Sequence, residues 1–75
     1  MIWHDVNKRK PLAYKTGHWD GKMSDKVLVY TKTRDYYIAV MYHVIMDGAE
    51  SFDFYDDRDF EIQYVTHWAE IDSPF

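Results

Sequence analysis

"DYYIAVMYHVIM", residues 35–46, carries the two-residue period on which the fold turns. In extended chain Ile38, Val40, Tyr42 and Val44 share one side, and Tyr37, Ala39, Met41 and His43 share the other. Both sets are largely apolar, so the strand is expected to be covered on both sides for part of its length. Upstream, "KVLVYTKT" (26–33) is a short β-branched and aromatic run that fits a central strand. The intervening "KTRD" is short enough for a hairpin, although it lacks the Asn-Gly of a tight primed turn.

Downstream, "DGAE" (47–50) reads as a turn with Gly48 free to take positive φ. "SFDFY" (51–55) then sets Phe52 and Phe54 against Asp53 and Tyr55, and "DDRD" (56–59) reads as a solvated loop. "FEIQYVTHWAEI" (60–71) predicts one last strand with Phe60, Ile62, Tyr64, Thr66 and Trp68 on a common side, closed by Ser73-Pro74. Residues 1–25, with "DVNKRKP" and "YKTGHWDGKMSD", read as an irregular segment with room for a short helical turn. No stretch has the periodicity of an amphipathic helix of ten or more residues. The expected fold is mainly β: one small domain over 1–75, with an antiparallel meander of about four strands in 26–72. A β-rich α+β fold is the other reading.

Seventy-five residues lie near the lower limit for a self-sufficient core. Without cysteine the chain has no disulfide, thiolate metal site or thiol nucleophile, which suits a reducing cytoplasm. Three Trp, seven Tyr and four Phe supply dense aromatic packing instead, with a partner subunit as a further means of compensation. The predicted core is Trp3, Val6, Val27, Val29, Ile38, Val40, Ile62, Tyr64 and Trp68, with Trp3 and Trp68 clamping the two ends of the chain onto the sheet. No segment approaches the ~20 apolar residues of a membrane span, and the N-terminus does not have the order of a secretory signal. Charge is uneven along the chain. Residues 1–46 hold eight basic and four acidic residues, whereas 47–75 hold nine acidic residues against Arg58 alone.

Four separated pieces, "W3-x-x-V6-x-x-R9-x-P11", "VLVYT" (27–31), "VTHW" (65–68) and a tail ending in proline, resemble the domain of unknown function 551. That family comprises small proteins found widely in bacteriophages and prophages. The resemblance touches both ends and the first strand, and it makes Trp3, Val6, Arg9, Pro11 and Trp68 the structural anchors. It implies a phage or bacterial origin, hence the cytoplasm of a bacterial host, and a β-rich fold; it brings no known activity. The segment between Pro11 and Val27 is longer than the family's usual connection, so no role carries over to His18 and Trp19.

Each tryptophan neighbours a histidine, which raises the question of an imidazole site. No His-Glu-x-x-His or His-x-His spacing occurs, and His4 with His67 is the best metal pair, weighed against ring N–H donation to backbone. Thr66, His67 and Glu70 or Asp72 superficially offer hydroxyl, imidazole and carboxylate. In a regular strand, however, Thr66 and His67 point to opposite sides. A chain this short is also expected to lack room for a pocket of the usual ~300 Å³ or more. Asp57, Asp59 and Glu61 alternate as calcium ligands would, but Ile62 stands where an EF-hand loop needs glycine. Carboxylates imitating a nucleic-acid backbone are a further reading of this run, which Arg58 interrupts.

Lys8, Arg9, Lys10, Lys15, Lys22, Lys26, Lys32 and Arg34, interleaved with Tyr14, Trp19, Tyr36 and Tyr37, suggest single-strand nucleic-acid binding. An acidic pI of about 5.4 opposes it. The reading favoured by the residues is a non-enzymatic binding or accessory module without cofactor, metal or membrane contact. Its partner would be a second copy or a host or phage protein, met through a face carrying His67, His43 and Tyr37.

Overall fold

The computed structural model describes residues 1–16 and 21–72. Among them are eight strands and no helix: β1 (His4–Asp5), β2 (Ala13–Thr16), β3 (Lys22–Ser24), β4 (Val27–Thr31), β5 (Tyr36–Met46), β6 (Ala49–Tyr55), β7 (Glu61–Ile62) and β8 (Val65–Glu70). All pair antiparallel in the order β1-β8-β4-β5-β3-β2, with β6 on β5 and β7 on β6. The sheet is curled and not closed. Mainly β is therefore correct, with twice the expected number of strands. The N-terminal segment is less irregular than its sequence suggests, since β1, β2 and β3 lie within it. These strands are two to four residues long, too short to display a period. His18, Trp19 and the terminal Ser73-Pro74 lie outside the described residues.

Turn chemistry sets the register. Thr31 and Asp35 close a hairpin over Lys32-Thr33-Arg34: Thr31 N–H donates to the Asp35 carbonyl at 3.0 Å, and Arg34 takes φ 67°. A three-residue loop ending in a left-handed residue is a standard hairpin connection. The same device recurs at Asp56–Phe60, where Asp59 has φ 62° and the Asp56 carboxylate accepts the Arg58 and Phe60 N–H groups at 2.9 and 3.0 Å. The acidic run is thus a self-capped hairpin loop. Asp47 and Gly48 both have positive φ, at 51° and 81°, and join Met46 to Ala49 as a two-residue primed turn.

The first of these loops places Val29 opposite Tyr37 and Val27 opposite Ala39, which turns Ala39 and Met41 inward. A shift of one residue exchanges the two faces of a strand, and here it exchanges the expected ones. Ile38, expected in the core, is 57% exposed on the outer side, where Val40 is half-buried. The buried cluster is Val6, Val27, Val29, Ala39, Met41, Phe54, Ile62 and Trp68. Two expected members lie elsewhere. Trp3 is 38% exposed on the outer face, and Tyr64 is exposed with φ 61°. The left-handed Tyr64 kinks the last extended stretch, so that β7 pairs with β6 while β8 pairs with β4. That kink is why 60–71 does not keep one alternation throughout.

β3 and β4 lie end to end along one edge of β5, interrupted at Ser24–Lys26. Ser24 fills the break: its buried hydroxyl accepts the Met41 N–H at 2.9 Å and donates to the Asp25 carbonyl at 2.7 Å. Ser24→Ala leaves a buried N–H without a partner. It should cost about 1–3 kcal/mol, measured by urea denaturation; an unchanged midpoint would refute this role for the hydroxyl.

Trp68 holds the N-terminal segment across the concave side. Its indole N–H donates to the Arg9 carbonyl at 2.8 Å, Pro11 is buried nearby in sequence, and Val6 N–H donates to the Thr66 carbonyl at 3.0 Å. Trp68 packs on the inner face and Trp3 on the outer face, against Tyr30 and Tyr36, so the two tryptophans lie on opposite sides of the sheet.

Candidate functional site on the outer face

Opposed residues in neighbouring strands project to one side, so the pairs Asp5–His67, His67–Tyr30 and Tyr30–Tyr36 form a row across β1, β8, β4 and β5. Trp3, two residues before Asp5, joins it: its ring lies 6.1 Å from those of Tyr30 and Tyr36, which are 4.9 Å from each other. Leu28 and Ile38 are paired in the next row along the same face. The outcome is a continuous apolar surface, aromatic at one end and aliphatic at the other, with Tyr36 and Ile38 exposed. Sequence reasoning missed it because both sides of β5 are apolar, and only the register decides which side faces out.

His67 belongs to this face through a bulge. Val65 opposes Thr31 and His67 opposes Tyr30, so Thr66 is an extra residue in the ladder. A bulge of this kind lets two successive side chains project to the same side. Thr66 Oγ1 and His67 Nδ1 accordingly lie 2.9 Å apart, correcting the expectation that the two residues diverge. Thr66 Oγ1 also donates to the Tyr30 carbonyl at 3.2 Å, so its hydroxyl lies between backbone and imidazole.

The remaining histidines are placed apart from it. His4 pairs with Trp68 and faces inward, its ring 4.5 Å from the indole, so His4 and His67 lie on opposite faces and cannot share a metal. Among the described residues no group of three or more His, Asp or Glu could hold an ion. His43 also faces inward. It stacks on Phe52 at 4.5 Å and 10°, with a buried Nε2 that lacks a hydrogen bond and lies 3.8 Å from Glu50. Tyr37 shares His43's side of β5, at the rim of the core. The face expected to carry His67, His43 and Tyr37 together is therefore divided, with His67 outside and the other two inside.

The basic half is also partly used by the fold. Lys15 and Tyr14 both bind Asp25, at 2.5 and 2.8 Å. These bonds, Lys15's first, hold the Asp25 carboxyl below its ordinary pKa; the same carboxylate raises the pKa of Lys15 and of Tyr14. Lys10 Nζ donates to the Val6 carbonyl at 2.6 Å and lies 5.1 Å from the Phe52 ring centre. Beyond β5 the outer face becomes acidic: Tyr55, with its ring 5.4 Å from Tyr42, has its pKa raised by burial and by the Asp53 and Glu61 carboxylates.

The open curl also leaves more space than the chain length suggests. A recess of about 550 Å³ lies between the Arg9–Ala13 segment and the inner residues Met41, His43, Phe52 and Trp68. Another of about 500 Å³ lies between Phe52–Phe54 and Ile62–Val65. No family model matches the chain, and no curated protein or solved structure matches it.

Proposed function

We propose that the protein is a non-enzymatic binding module whose docking surface is the outer face of β8, β4 and β5, occupied by a second copy of the chain. The observation that carries this reading is the packed Trp3–Tyr30–Tyr36 cluster continuing into exposed Ile38. Contiguous apolar surface of this kind marks interaction sites in small soluble domains, and aromatic residues are enriched at the centres of such contacts. Among the described residues the packed core cluster has eight members, one of them alanine, which is modest for independent stability, and burial of this face against its equivalent adds what the monomer lacks. The central rows place no like charges opposite one another. Asp5 already accepts the Asn7 N–H, at 2.8 Å. Through the resemblance noted above, the module would serve a phage or its bacterial host, in the cytoplasm.

Sedimentation analysis tests this. The wild-type chain should dimerise at micromolar concentration and Ile38→Lys should be monomeric, still folded because Ile38 is outside the core but without the concentration-dependent gain in melting temperature that dimerisation gives the wild type. A monomeric wild type, or a dimer indifferent to Ile38→Lys, would overturn the proposal. A second reading is single-strand nucleic-acid binding. It rests on Lys32 and Arg34, which occupy the turn between Tyr30 and Tyr36 and flank the aromatic row with cations. Steeply salt-dependent binding of an oligonucleotide, lost in Tyr36→Ala, would favour it instead.

A further inference from the structure

The strands at the margins of the sheet differ in how their outer edges are protected. β1 and β7 are two residues long. β2 carries an irregularity between Ala13 and Lys15 and bears a lysine. Short length, bulges and lysines are the usual means of keeping an edge from pairing. β6 has none of these, and its charges are the two carboxylates Glu50 and Asp53. Its ladder with β5 runs unbroken from Val40–Tyr55 to Met46–Ala49, and it contains neither proline nor lysine. On its other edge β7 covers only Phe54 and Tyr55, so among the described residues Ala49–Asp53 has no neighbouring strand.

The two sides of that edge differ chemically. Phe52 and Phe54 face inward and line the recess of about 500 Å³ together with Val6, Ile62 and Val65. Lys10 lies against Phe52 on this side and disfavours a further cation there. Asp53 faces outward beside Tyr42 and Tyr55, on the side that also bears Glu61. Negative potential there is expressed in the raised pKa of Tyr55, to which burial contributes first and the two carboxylates next.

We propose that the Ala49–Asp53 edge of β6 receives an added strand from a partner protein: an extended segment whose outward side chains are Lys or Arg and whose inward side chains are apolar. Main-chain hydrogen bonds to the open edge supply the attachment, as in strand addition generally. A cation opposite Asp53 and an apolar side chain over Phe52 supply the selection. A second copy of β6 fits less well, because it brings its own Asp53 to the acidic outer side and its own Glu50 to the inner side, where an apolar side chain is required.

The test uses the whole protein and four synthetic probes: a peptide of alternating valine and lysine, its valine–glutamate counterpart, and two forms of the lysine peptide N-methylated on every second backbone nitrogen, one in each phase. The lysine peptide should bind, protect amides within Ala49–Asp53 from hydrogen exchange, and bind at least about fivefold more weakly to Asp53→Lys. The glutamate peptide should not bind, and N-methylation in one phase should abolish binding. Failure of the lysine peptide to bind would overturn the proposal. So would binding that survives N-methylation in both phases, which would reduce the contact to charge alone. Protection of 49–53 in the free protein, rising with its concentration, would make the occupant a second copy. The outer-face dimer is read by Ile38→Lys and this edge by Asp53→Lys, so the two proposals fail separately.

Discussion

Trp68→Ala should remove the cooperative unfolding transition, or shift it by about 3–5 kcal/mol. For a domain of this size that is comparable with the whole stability. The side chain is buried on the inner face, opposite Val29 on one flank and His4 on the other. Truncation opens a cavity between three strands, and it also deprives the Arg9 carbonyl of the indole N–H that draws the N-terminal segment across the concave side. Two controls separate these contributions. Trp68→Phe retains most of the packing and loses the hydrogen bond, at about 1 kcal/mol beyond the change in volume. Trp3→Ala, on the outer face, should cost the monomer much less than Trp68→Ala. Equal losses for the two tryptophans would mean that the ends are held in a way other than the one described.

Phe54→Ala should cost about 3–5 kcal/mol as well. Phe54 is 5% exposed and lies between Met41 of β5 and Ile62 of β7, so it is the side chain through which the short β7 is fastened to the body. Hydrogen exchange should show the loss concentrated at Ile62 and in the Asp56–Phe60 loop. Phe52→Ala is the internal comparison: it faces the same side two residues earlier but is 36% exposed, and should cost about 1 kcal/mol. If the two phenylalanines prove interchangeable in urea denaturation, the inner face of β6 has been misplaced.

Period and turn chemistry carried much of this fold in legible form. β4 follows from a β-branched and aromatic run, β5 from alternation, and the Asp47-Gly48 turn from a glycine in the right place. Val6, Val27, Val29, Ile62 and Trp68 are both expected and found in the core. What was not legible is which side of β5 faces in. Tyr37-Ala39-Met41 and Ile38-Val40-Tyr42 are equally acceptable as apolar stripes, and the choice rests on a loop closed by Thr31 and Asp35 that counts three residues. The candidate surface was hidden for the same reason, since it is the stripe that the register turns outward. Thr66 and Tyr64 show the second limit. A bulge and a left-handed residue each restart the alternation, and neither Thr nor Tyr announces such a place in the way glycine does. The pairing of Thr66 with His67 could be seen only once the bulge was known.

The pairing of β1 with β8 bears on when the molecule can fold. Position 4 lies beside position 68, and β8 occupies the interior of the sheet, between β1 and β4. During synthesis β4 and β5 can form their hairpin early, but the inner side of β4 stays uncovered until the segment ending at Glu70 has left the ribosome. Completion therefore waits for β8 and then closes a contact of high sequence separation, between positions 4 and 68, that is slow to form. Nascent chains arrested before β8 should be sensitive to protease, and chains arrested well beyond it resistant.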